Sequence, residues 1–91
     1  YDETLNYLNS INKIVNKTDL VELMQITERL NEMERTEVID FLKQLLWVAR
    51  DKECPAETLE KVQETINLVS QNVNTRLALE VLFLQCFTHL V

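Results

Sequence analysis

Ninety-one residues with nine basic and fifteen acidic side chains, a net charge of −6, form one acidic unit without clustered cations. That balance disfavours nucleic acid or an anionic membrane as a direct partner, because phosphate binding depends on grouped Lys and Arg. Gly is absent and Pro occurs once, which removes phosphate-cradling loops, dinucleotide fingerprints and tight primed hairpin turns.

An apolar content of 46% with 26% charged residues is that of a globular chain rather than a disordered one. Two cysteines, Cys54 and Cys86, make no disulfide framework and suit a reducing, cytoplasmic setting. No charged-then-apolar leader opens the chain, and no apolar run reaches about 18 residues without a polar break. The start at Tyr1 rather than Met leads us to expect residues 1–91 to be a single domain excised from a longer chain.

Every segment reads as helix. Tyr7, Leu8, Ile11, Ile14 and Val15 follow an i, i+1, i+4, i+7, i+8 pattern, and Asn16-Lys17-Thr18 breaks it. Asp19-Leu20-Val21-Glu22 has the form of a capping box, with Leu20, Leu23, Met24, Thr27 and Leu30 inward on helix two. A third helix starts between Asn31 and Thr36. It buries Val38, Phe41, Leu42, Leu45, Leu46 and Ala49 and turns Glu37, Asp40, Lys43, Gln44 and Arg50 outward. Glu53-Cys54-Pro55 ends it, Pro55 suiting the first position of helix four. That helix has a narrow stripe of Leu59, Val62, Ile66, Val69 and Val73. Asn72 is placed to cap its end and Asn74 to cap the start of helix five. The expected fold is all-α, a compact five-helix bundle.

Helix five is the most apolar segment. From Thr75 to Val91 only Thr75, Arg76, Glu80, Gln85, Thr88 and His89 interrupt the hydrophobic residues. At about 3.6 residues per turn they form two arcs. Leu79, Leu82, Phe83, Cys86 and Leu90 make the first, enough to close a core. Leu77, Val81, Leu84, Phe87 and Val91 make the second, with Glu80 embedded in it. The second arc is expected to meet a neighbour, because such a patch left open is an aggregation liability. Trp47, opposite the buried stripe of helix three, reads either as an interface anchor or as a side chain packed under helix one or five.

Other constellations are weaker. Cys86-x-x-His89 has metal-ligand spacing, but a structural zinc needs about four ligands and Cys54 is the one other soft donor. A catalytic Cys86–His89 pair would sit in a nearly all-apolar helix without an orienting acid. Glu34/Glu37 and Glu57/Glu60 are carboxylate pairs with no nucleophile beside them, as on solvated helix faces. No catalytic, cofactor or metal residue is assigned.

The run Asn72-Val73-Asn74-Thr75-Arg76-Leu77-Ala78-Leu79-Glu80, followed by Val81-Leu82-Phe83-Leu84, resembles the last helix of the C-terminal domain of bacterial DNA polymerase III δ′ subunits. Phe41 to Asp51, ending in Arg50-Asp51, is similar to the long helix of that domain. The resemblance covers most of the chain, weakly over Tyr1 to Lys17. The γ/τ subunit has a related last helix usually preceded by Asn-Pro, and Val73-Asn74 without Pro favours δ′. The resemblance implies a C-terminal collar domain of the clamp loader, a five-subunit machine whose helical domains close into a ring. The implied partners are the γ/τ and δ subunits, through their own collar domains, with no nucleic-acid or membrane contact by this domain and no cofactor. Interface residues are then expected at Trp47, Leu77, Glu80, Val81, Leu84 and Phe87.

Overall fold

The structure, a computed structural model, describes residues 2–16, 19–71 and 74–87, with side chains from residue 9 onward. These residues form five helices and no strand: α1 (Asp2–Val15), α2 (Leu20–Asn31), α3 (Arg35–Asp51), α4 (Ala56–Ser70) and α5 (Thr75–Cys86). The fold is an all-α five-helix bundle. α4 packs between α3 and α5, α2 lies on α5, and α1 lies on α3.

The apolar periodicity explains which faces turn inward. Ile11 and Ile14 of α1, Leu23, Ile26 and Leu30 of α2, and Val38, Phe41, Leu42 and Leu45 of α3 share one core. Val62, Ile66 and Val69 of α4 and Ala78, Leu79, Leu82 and Phe83 of α5 complete it. Two buried hydroxyls are satisfied within their own helices: Thr27 Oγ1 donates to the Leu23 carbonyl at 2.9 Å and Thr65 Oγ1 to the Lys61 carbonyl at 2.8 Å. Leu20 departs from expectation. It opens α2 and is exposed, while Ile26, one turn beyond Leu23, takes the core position. The side chains of Tyr7 and Leu8, and residues Lys17, Thr18, Asn72 and Val73, lie outside the described residues.

The helix ends show how a chain without Gly turns. Asp19 caps α2 by accepting from the Glu22 amide at 2.9 Å, and Asn74 caps α5 by accepting from the Leu77 amide at 3.1 Å. Only half of the expected capping box forms, since the Glu22 carboxylate accepts from Lys13 Nζ at 3.2 Å instead. Glu34 precedes α3 without a side-chain cap, and Pro55 stands one residue before α4 rather than inside it.

At the end of α3 the Cys54 amide donates to the Ala49 carbonyl at 3.0 Å and the Glu53 amide to the Arg50 carbonyl at 3.1 Å. This is the Schellman pattern, which needs a left-handed residue at its corner. Glu53 supplies it with φ 57°, a conformation that Gly adopts without penalty.

Candidate interaction surface

α5 is apolar on both sides, and the bundle covers one of them. Ala78, Leu79, Leu82 and Phe83 are buried, whereas Leu77, Val81 and Leu84 are 56%, 44% and 39% exposed. Those three stand at i, i+4 and i+7, the spacing of a heptad seam, so they line up along one stripe. The stripe borders a groove of about 200 Å³ between α4 and α5, whose walls include Leu68, Leu77, Val81 and Gln85.

Glu80 is half-buried beside the stripe, where a partly desolvated carboxylate needs a donor. It has one in its own helix: Arg76 Nε donates to Glu80 Oε1 at 3.0 Å. Arg76 also reaches α2, with Nη2 3.6 Å from Glu28 Oε1. The i, i+4 spacing of Arg76 and Glu80 was legible in the sequence. The cross-helix bridge to Glu28 was not, because it depends on how α2 lies on α5. On the far wall of the groove Lys61 and Glu64 pair at 3.7 Å. The charges around the stripe thus pair inside the domain, with Arg76 shared between two carboxylates.

Phe87 corrects the expected interface set. It was assigned to the outward arc by continuing the helical period, but α5 ends at Cys86 and Phe87 has φ −126° and ψ 14°. It stands i+4 from the buried Phe83, about 40° round the helix axis, and its ring lies in the core, 1% exposed. Leu90, Val91 and His89 lie outside the described residues.

Trp47 is 72% exposed on the solvent side of α3, which excludes packing beneath α1 or α5. Its ring borders a shallow depression with Arg50, Asp51 and Glu53. Leu20 and Val21, in the first turn of α2, are also exposed. Sequence reasoning missed Val21 as a surface residue, since apolar periodicity does not say where a first turn escapes cover.

Cys54 and Cys86 are half-buried and form no disulfide. Among the described residues no three His, Cys, Asp or Glu side chains gather as metal ligands. No helix among them is long and apolar enough to cross a membrane. The arrangement offers docking chemistry: an apolar helical stripe with an ion-paired rim on α5, and an exposed indole among charges on α3. The chain matches no protein-family model, no curated protein and no solved structure.

Proposed function

We propose that the chain is a non-catalytic oligomerisation domain, the collar domain of a δ′-like subunit in the bacterial DNA polymerase III clamp loader. In that role it holds its subunit in a pentameric ring and so supports the loading of sliding clamps in DNA replication. The partners are the collar domains of the γ/τ and δ subunits. The setting is cytoplasmic, in keeping with two cysteines that form no disulfide.

The observation that carries the reading is the double use of α5. Leu79, Leu82 and Phe83 hold the helix in the core, while Leu77, Val81 and Leu84 leave a second apolar stripe on its outside. The resemblance of Asn72 to Leu84 to the δ′ last helix gives that stripe its partner. Head-to-tail contacts that differ on the two sides of a subunit close into rings. A contact of standard size would cover about 800 Å² per partner, far more than three side chains, so neighbouring surface must join the stripe. Apolar burial stabilises it by roughly 25 cal/mol per Å² before the cost of association is subtracted.

Replacing Val81 or Leu84 by Asp tests the proposal. Both are solvent-accessible, so the helical circular dichroism should survive while capture of a γ/τ or δ collar domain is lost. Unfolding by either substitution would mean that the stripe belongs to the core.

The groove between α4 and α5 favours a second reading, a free-standing adaptor that takes an amphipathic peptide helix. Such a domain would bind short helical peptides at Leu77 and Val81 and ignore both collar domains.

A further inference from the structure

Charge is unevenly spread over the bundle. Residues 35–52, α3 with its C-cap, hold four basic and three acidic side chains, whereas the rest of the chain holds five basic and twelve acidic. Among the described residues, the cations outside this segment are engaged. Lys13 pairs with Glu22, Lys61 with Glu64, and Arg76 with Glu28 and Glu80, while Arg29 donates to Ser10 at 3.2 Å. Arg35, Lys43, Arg50 and Lys52 are exposed, and among the described residues none of them enters an ion pair. The same holds for Asp40 and Asp51.

These free charges surround the most exposed aromatic surface of the described residues. At about 100° per residue, Trp47 stands opposite the stripe of Val38, Phe41, Leu42, Leu45 and Ala49. Lys43 and Arg50 run along one edge of the indole, and Asp40 and Asp51 along the other. The rim is therefore bipolar. It differs from the rim of α5, where Glu28, Glu64 and Glu80 already pair with Arg76 or Lys61.

We propose that this face of α3 is a separate docking surface for a helix of another polypeptide, one with an apolar side chain to cover Trp47. Its acidic edge would meet Lys43 and Arg50, and its basic edge Asp40 and Asp51. The indole supplies contact area at small entropic cost, and the two edges fix the direction in which the incoming helix lies. The bipolar rim decides against single-stranded nucleic acid, the other ligand that stacks on aromatics between cations. Asp40, Asp51 and Glu53 near the ring repel phosphates, and two cations release too few counterions to hold a polyanion. This surface does not depend on the collar reading, which rests on α5.

Trp47 is the one tryptophan of the chain, so its fluorescence reports this face alone. The probes are two designed helical peptides of identical composition, each with one central Leu, that differ only in which edge carries Glu and which Lys. The matched peptide should shift Trp47 emission to the blue and saturate. The edge-swapped peptide should bind about tenfold more weakly at low salt, as expected when several exposed pairs turn from attraction to repulsion. The double variant Lys43→Glu, Arg50→Glu, with an unchanged thermal melt, should lose that preference. Equal binding of the two peptides, no shift with either, or a larger shift with oligothymidylate would overturn the proposal. So would a shift driven by protein concentration alone, which would make the face a contact between copies of this chain.

Discussion

The rings of Phe83 and Phe87 meet edge to face, their centroids 6.4 Å apart and their planes at 70°. One ring lies inside α5 and the other just past its end, and both fill the core. The Phe87 amide still donates to the Phe83 carbonyl at 3.0 Å, which holds the two residues in register while the backbone turns away. Edge-to-face pairs contribute about 0.5–1.5 kcal/mol beyond the area that they bury.

Phe87→Ala should therefore behave as a core substitution, not as an interface one. Truncating a buried Phe costs about 3–5 kcal/mol, a large part of the stability of a small domain. Urea unfolding checks this: the midpoint should fall sharply, whereas Leu84→Ala should move it little. A neutral Phe87→Ala would return that residue to the surface.

Glu53 holds a left-handed conformation that the Schellman corner of α3 requires. A side chain with a Cβ pays about 1 kcal/mol there, while Gly gives back part of that in unfolded-chain entropy. Glu53→Gly should raise stability by about 0.5–1 kcal/mol, read as a few degrees in the thermal midpoint. Glu53→Val should lower it, because a β-branched residue tolerates positive φ least.

Asp19 and Asn74 each satisfy an amide at the start of a helix through a side-chain oxygen. Replacing either by Ala should cost about 1 kcal/mol, and replacing Asn74 by Asp or Ser should cost much less. Chemical denaturation of the single variants measures both effects. The Asn74 result bears on function as well, since that cap sets where α5 and its outer stripe begin.

Arg76 joins α5 to α2 through Glu28 and holds Glu80 at the edge of the stripe. Arg76 and Glu28 are exposed and Glu80 is half-buried, so Arg76→Met should cost about 1 kcal/mol. The loss should shrink in about 1 M salt, where the Debye length is near 3 Å. Denaturation midpoints at low and high salt test this. A large salt-independent loss would mean that the aliphatic part of Arg76 packs more than its charge pairs.

The helices and most of the core were legible in the chain, because apolar spacing reports which face must leave water. Val38, Phe41, Leu42, Leu45 and Ala49 are the clearest case, each buried as its period requires. Asp19 and Asn74 were legible too, since their short polar side chains suit caps. Phe87 was not read correctly, because it falls between the two arcs, about 40° from Phe83 and about 60° from Leu84. Neither was Leu20, whose place in a first turn left it outside the packed length of α2. The outward stripe of α5 was visible as an excess of apolar residues. The ion pairs of the rim around it were not all legible, because Glu28 reaches Arg76 only through the packing of α2 on α5. The bipolar rim of Trp47 also needed the structure, which separates charges that pair from charges that do not.

The central claim is that the outer stripe of α5 joins this domain to clamp-loader neighbours. Size exclusion with light scattering, on the domain mixed with the C-terminal helical domains of its host's γ/τ and δ subunits, tests it most directly. A stable mixed complex, absent for a still-helical Leu84→Asp variant, is the predicted result. A lone monomer at micromolar concentration, indifferent to both partners, would contradict it.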